Sequence, residues 1–312
     1  MKYKEKISDA VLSVAIFVVM VSIVGIGLVL SDDPKSVTTQ TNITSSLPII
    51  DSIVINSGSY INLTEGSLKQ IICNATIVNY NGKDDISHVN ATFFRTNGTV
   101  QDGLYDAVNN NTGYQHVNCT YAFPGDDAFT FSYNCTMNLT YHAFNGSWNC
   151  TVFVNNSLNS PVNGTNSSWI VPLYAINVTD VMNFGELAVY DYSAVRSVNV
   201  TNWGNMPINL TIYGYGGEDN STGYNRSFIC PDGPGTNISL GYLRWELRDD
   251  NGWVNMTNIT IGPARIDNVT IQKQTTDTNI WNTTYWKIYV PPNPFGACNG
   301  TIVYEAMLGG TN

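Results

Sequence analysis

From residue 47 onward the chain is written in short runs in which apolar and polar residues alternate, a period of two that marks half-buried β-strands. The pattern predicts strands over 50–55, 69–78, 88–94, 129–133 and 148–154. It predicts further strands over 183–187, 198–203, 208–213, 243–248, 253–256, 286–290 and 301–306. Turn residues separate the early ones: Asn81-Gly82, Asn97-Gly98, Pro124-Gly125-Asp126-Asp127 and Asn145-Gly146. Later, Asp249-Asp250-Asn251-Gly252 predicts a primed turn closing a hairpin over 243–256. Strands of this length, broken about every 8–12 residues, predict an antiparallel sandwich or barrel. Two other segments break the pattern. Residues 10–30 run 21 positions without a charge, the length of a bilayer-spanning helix. Residues 32–46 are rich in Ser and Thr and form a linker.

The polar positions of the strands are unusual. Asn-X-Thr/Ser, the acceptor pattern for N-glycosylation, occurs 25 times. With 39 Asn and 54 Ser plus Thr in 312 residues, chance would yield roughly 7. The acceptors are Asn42, Asn62, Asn74, Asn90, Asn97, Asn110, Asn118, Asn134, Asn138, Asn145, Asn149, Asn155 and Asn163, then Asn166, Asn177, Asn199, Asn209, Asn220, Asn225, Asn237, Asn255, Asn258, Asn268, Asn282 and Asn299. Asn and Thr two apart share one face of a strand, and the apolar residue between them faces the other way. Ile208-Asn209-Leu210-Thr211-Ile212 shows the pattern, as do Val198-Asn199-Val200-Thr201, Asn258-Ile259-Thr260-Ile261 and Asn268-Val269-Thr270-Ile271. Each predicts a dry face for the core and a wet face for a glycan.

Charge and cysteine content place the chain outside a membrane. Only 12% of residues are charged and the net charge is −10, which argues against nucleic acid and anionic lipid as partners. Lys2, Lys4 and Lys6 precede the apolar run and Asp32 and Asp33 follow it, which orients the N-terminus inside and the rest outside. The apolar run exceeds the core of a cleaved signal peptide, so a retained helix is expected. All six cysteines lie beyond it, where disulfides persist. Four cluster early (Cys73, Cys119, Cys135, Cys150), and their three pairings are not distinguished by spacing. Cys230 and Cys298 most simply pair with each other.

No nucleophile, zinc, nucleotide or dinucleotide motif occurs, and His88, His116 and His142 share no ligand spacing. The chain is therefore expected to be no enzyme and to hold no cofactor. The acid pairs Asp84-Asp85, Asp126-Asp127 and Asp249-Asp250 offer the hard oxygens calcium prefers, yet they fit no EF-hand and turn chemistry accounts for them equally.

Two resemblances add to this. The segment 47–172, with Cys73 on an early strand and Gly146-Ser147-Trp148 before Cys150, resembles an immunoglobulin-like domain. The likeness implies a Cys73–Cys150 inter-sheet bridge and leaves Cys119 and Cys135 to staple a hairpin. No Trp stands on the strand after Cys73, where the family carries one. Residues 173–312 resemble a second such sandwich.

Lys6-Ile7-Ser8-Asp9-Ala10-Val11, followed by the apolar run, resembles the N-terminus of archaeal type IV pilin-like proteins, with Lys6 where that family usually has Gly or Ala. The likeness implies a basic leader over 1–6 and a filament-core helix over 7–31. Val11, Val18 and Val19 would belong to its assembly face, with Ser22, Gly25 and Gly27 as a narrow strip for close helix approach. The expected fold is thus mainly β, with an N-terminal α-helix and two immunoglobulin-like sandwiches. The expected function is a heavily glycosylated subunit of a cell-surface filament, self-assembling through the helix and touching the membrane at 10–30 and other cells outside. The alternative is a non-polymerising surface glycoprotein of adhesin, receptor or S-layer type.

Overall fold

Alternation becomes strand wherever a partner is available. In the computed structural model 53% of the described residues are strand and 5% helical. It describes residues 36–96, 111–124, 128–219, 223–230, 237–250, 252–275 and 278–308. Residues 36–44 belong to an N-terminal unit and carry no regular structure, and Ser45–Asn312 form a second, compact unit.

The expected fold class is corrected here. Among the described residues no helix reaches seven residues, and none is long and apolar enough to cross a membrane. Their named helical elements are three-residue 3₁₀ turns. The physical reason is that period-two runs cut by Gly, Asn and Pro leave no sustained 3.6-residue period in that part of the chain. Among the described residues the fold class is mainly β, with no α-helix of seven residues or more. The segment assigned to that helix, with Val11, Val18, Val19, Ser22, Gly25 and Gly27, lies outside the described residues. Self-assembly and anchoring through it therefore have no structural support.

The first sandwich comprises β1 (Ile49–Ile55), β2 (Leu68–Val78), β3 (Ile86–Arg95), β4 (Gly113–Asn118), β5 (Thr120–Pro124), β6 (Thr130–Thr140), β7 (Gly146–Asn156) and β8 (Pro161–Ile170). One antiparallel sheet has the order β1-β2-β6-β5 and the other β4-β3-β7-β8. Ile71, Cys73, Ala75 and Ile77 of β2 meet Trp148, Cys150, Val152 and Val154 of β7 in one core. Burying each large aliphatic side chain contributes roughly 1.5–3 kcal/mol.

The second sandwich comprises β9 (Ile176–Val178), β10 (Arg196–Asn202), β11 (Ile208–Gly216), β12 (Arg226–Phe228), β13 (Ile238–Ser239), β14 (Leu243–Glu246), β15 (Thr257–Asn258), β16 (Ala264–Ile271), β17 (Trp281–Ile288) and β18 (Gly300–Leu308). Its sheets have the orders β15-β14-β17-β10-β9 and β16-β11-β18, with β12 and β13 as a separate pair. A second core, centred on Val200, Leu210, Ile212, Trp245 and Trp286, lies within it.

Two expected strands are absent here. Residues 183–187 form no strand: Gly185 adopts φ +83° and its N–H donates to Asn183 Oδ1 at 2.8 Å, a local turn that removes the segment from any ladder. Trp253–Asn255 is a 3₁₀ turn, and the partner of β14 is the later pair Thr257–Asn258. Gly252 has φ −68°, whereas a primed turn needs positive φ at that position.

The sandwiches meet through a short mock ladder. Trp203 N–H donates to Ala175 O at 2.9 Å and Asn205 N–H to Leu173 O at 3.1 Å. The Asn205 amide accepts from Leu173 N–H at 2.7 Å and donates to Val171 O at 3.1 Å. Gly204 is required between them, because a Cβ there would stand 2.2 Å from Leu173 O.

Candidate functional site: the sequon-bearing surface

Three disulfides staple the sandwiches. Cys73–Cys150 joins β2 of one sheet to β7 of the other, and both cysteines are fully buried. Cys119–Cys135 ties the start of the β5 hairpin to β6, and Cys230–Cys298 closes the second sandwich.

The outward positions carry the asparagines. Of the sequon asparagines, Asn97, Asn110 and Asn220 lie outside the described residues. Of the 22 others, 13 are exposed, 8 are half-buried (Asn74, Asn90, Asn134, Asn145, Asn149, Asn155, Asn237, Asn282), and Asn209 alone is buried. Eleven described asparagines stand outside sequons, and five of these are buried: Asn79, Asn111, Asn156, Asn202 and Asn205. These five bind backbone or side-chain partners. Asn202, for example, donates to Met206 O at 2.8 Å and Ile271 O at 3.1 Å while accepting from Gly204 N–H at 2.8 Å. Burial of asparagine is thus concentrated outside the sequons, at five of eleven described positions against one of 22 within them.

Strand position grades the exposure. Asn163 and Asn166 on β8, Asn118 on β4, Asn177 on β9, Asn258 on β15 and Asn268 on β16 occupy edge strands, and all six are exposed. Central strands give mostly half-buried positions: Asn74 on β2, Asn90 on β3, Asn149 and Asn155 on β7.

At Asn209 the expected wet face is covered, which corrects the pattern drawn from the sequence. β11 has full neighbours on both sides, so Asn209 lies between Thr270 of β16 and Met307 of β18. It is 4% exposed and bonds the Thr270 hydroxyl at 2.7 Å. Asn199 has a similar local sequence and faces Thr283 of β17, but on its other side β9 ends at Val178 and the following Thr179 only accepts its N–H, at 3.4 Å, and Asn199 stays exposed.

Of the acid pairs, Asp126 and Asp127 lie outside the described residues, Asp249 and Asp250 are exposed, and Asp85 is a structural pin. Asp85 is 9% exposed and accepts from Ser45 Oγ, Asn79 Nδ2 and Asn81 Nδ2, each at 3.1 Å, and from Ser157 Oγ. These donors, Ser157 first and Asn79 next, hold its pKa down at about 2 from 3.8. They also occupy the lone pairs a calcium ion would need. A lowered carboxylate pKa stabilises the fold above its ordinary value, and that stability is lost as pH falls through the native one. The melting temperature of the native chain is therefore expected to drop between pH about 4 and about 2. Asp85→Asn is expected to lower it already at neutral pH and to flatten that acid limb, both visible in a series of thermal melts.

Lys273, not singled out by the sequence, is 7% exposed where the sandwiches meet. Its ammonium donates to Asn111 Oδ1 at 3.0 Å, Gln274 O at 3.1 Å and His142 O at 3.2 Å, and lies 3.4 Å from the Phe144 ring centre. Burial, and then the Arg95 charge, hold its pKa down at about 8. His142 is buried beside Asn111, while His88 is exposed on β3. Among the described residues no three His, Cys, Asp or Glu side chains gather as a metal site.

Two surface features of the second sandwich also escaped the sequence. A groove of about 750 Å³ runs beside residues 181–189, lined by Met182, Phe184, Leu187, Phe228, Ile288 and Phe295. A cluster of Tyr192, Tyr242, Trp253 and Tyr289 has ring centres 4.8–6.3 Å apart. Its members come from separated segments of the chain, so no periodicity could announce it.

No family model matches the chain, and no curated protein matches it either. Among solved structures it is similar to the CsuC–CsuE chaperone–tip adhesion subunit complex of Csu pili from Acinetobacter baumannii (12% identity, 80% of this chain and 96% of that chain, TM-score 0.39). It is also similar to a chaperone–tip adhesin complex of CFA/I fimbriae (9% identity, 79% and 77%, TM-score 0.30). A third likeness is to the C-terminal domain of the Streptococcus agalactiae antigen I/II polypeptide BspA (10% identity, 79% and 93%, TM-score 0.19). At such scores these likenesses assign neither a site nor a partner to this chain.

Proposed function

We propose that this chain is a non-catalytic structural component of a cell surface, of pilus-subunit or adhesin type, whose two disulfide-stapled sandwiches carry a dense coat of N-linked glycans. The observation that supports this best is the division of asparagines: 21 of 22 described sequon asparagines reach solvent, while buried asparagines fall almost entirely outside sequons. The edge strands support it further. An exposed strand edge is a template for unwanted pairing, and a bulky glycan beside it blocks that pairing. The three disulfides fit an oxidising exterior.

Glycopeptide mapping of the chain from its source tests the proposal. Glycans are expected on the edge-strand asparagines Asn163, Asn177, Asn258 and Asn268, with Asn209 bare. Bare edges would sink the proposal, and a modified Asn209 would overturn the account of its burial. Shearing the cells and imaging the released material then decides between a filament subunit and a surface protein that stays with the envelope.

A further inference from the structure

The aromatic cluster of the second sandwich is open to water. Tyr192 is 53% exposed and Tyr242 37%, and the adjoining Tyr190 and Val254 are 62% and 85% exposed. Tyr192 meets Trp253 edge-on at 5.2 Å and Tyr289 at 4.8 Å. Arg244 lies over the indole of Trp253 with its guanidinium carbon 4.6 Å from the ring centre, and donates to Trp253 O at 2.9 Å. Loss of hydration, then the neighbouring phenols of Tyr192, Tyr190 and Tyr242, push the Tyr289 phenol up. Contiguous exposed aromatic surface of this kind usually has an occupant.

The sequence beside it names one. Trp253-Val254-Asn255-Met256-Thr257 holds a sequon whose asparagine follows the indole by two residues. Both lie in the 3₁₀ turn Trp253–Asn255, about 4 Å apart along its axis at the usual rise of about 2 Å per residue. Asn255 is exposed, and so is the next acceptor, Asn258. A pyranose offers an apolar face of C–H bonds to the electron-rich face of an aromatic ring and hydroxyls to tyrosine O–H groups. Sugars at two adjacent sequons would also hold a flat protein partner off the same surface.

We infer that the glycan on Asn255 folds back onto the Tyr192–Trp253–Tyr289 cluster, which is its seat on the protein. The inference rests on the glycosylated reading proposed above. The test is a cycle of variants made in the source organism and followed by thermal melts: Asn255→Gln, Trp253→Leu and both together. Asn255→Gln is expected to lower the melting temperature by about 2–4 °C in the native background and hardly at all in the Trp253→Leu background. Asn177→Gln, on edge strand β9, serves as the control and is expected to give no such coupling. Tyr192→Ser, which leaves the Arg244–Trp253 contact in place, repeats the cycle if Trp253→Leu does not fold. Additive effects in both backgrounds overturn the inference. A bare Asn255 on a chain glycosylated elsewhere overturns it while leaving the surface-glycoprotein reading intact, and a chain with no glycan at all overturns both.

Discussion

Replacing Cys73 and Cys150 together by alanine is expected to cost the chain about 4.5–5 kcal/mol of folding stability. The bridge spans 77 residues, and closing a loop of that length in the unfolded chain removes entropy worth about 4.5 kcal/mol in the chain-entropy account. Cys119–Cys135, spanning 16 residues, is worth about 3 kcal/mol on the same basis. Position widens the difference. Cys73 and Cys150 sit fully buried on β2 and β7, each between two neighbouring strands of its own sheet, so their loss also leaves a void between the layers. Urea melts of the double variant and the parent, compared at equal slope, measure the effect. A loss below about 1 kcal/mol would show that the two layers hold together without the staple.

The second large effect is expected from Trp148→Ala, a loss of about 4–5 kcal/mol. Trp148 is fully buried two residues before Cys150, stacked on Phe93 with ring centres 5.0 Å apart. Its indole N–H donates to Phe144 O at 2.8 Å. Alanine leaves a cavity and strips that carbonyl of its donor, two penalties that act together. Trp148→Phe keeps most of the volume and the stacking and loses chiefly the hydrogen bond, so it is expected to recover more than half of the loss. A phenylalanine variant as unstable as the alanine one would place the energy in the hydrogen bond rather than the packing. The contact also shows how this sandwich departs from the immunoglobulin-like pattern. The strand after Cys73 carries Phe93 in place of a tryptophan, and the indole comes from β7, its neighbour in the same sheet.

The central strands are legible in the residues alone. The run predicted over 69–78 is β2, Leu68–Val78, and that over 148–154 lies within β7, Gly146–Asn156. Both alternate β-branched or aromatic residues with polar ones over most of their length, and both find a partner on each side, so local preference and tertiary pairing agree. Residues 183–187 have no strand beside them to complete a ladder, and they bend into a groove wall instead. The hairpin over 243–256 failed for a similar reason. The strand that pairs with β14 begins four residues after the expected turn-closing position, at Thr257, and the residues between turn as 3₁₀ under the Arg244–Trp253 contact.

The candidate surface divides in the same way. Which asparagines face outward follows from a period of two and is written in the residues between them: valine and isoleucine at Val198, Val200, Val269 and Ile271 choose the core face, and Asn199 and Asn268 take the other. How wet that outer face is depends on what stands beside the strand, which the strand's own sequence does not carry. Asn199 and Asn209 sit in nearly identical local text, yet a short neighbour leaves one open and two long neighbours close over the other. Asp85 and Lys273 belong to this second kind. Their partners lie up to 72 and 162 residues away in the chain, and only folding brings Ser157 to the carboxylate and Asn111 to the ammonium. Sequence therefore determined the strand-rich architecture and the outward placing of most sequon asparagines, because each rests on neighbours within a few residues. Tertiary structure alone decided which acceptor is sealed, which charges are held and which aromatic rings meet, because burial and contact are properties of strands that lie far apart in sequence and adjacent in space.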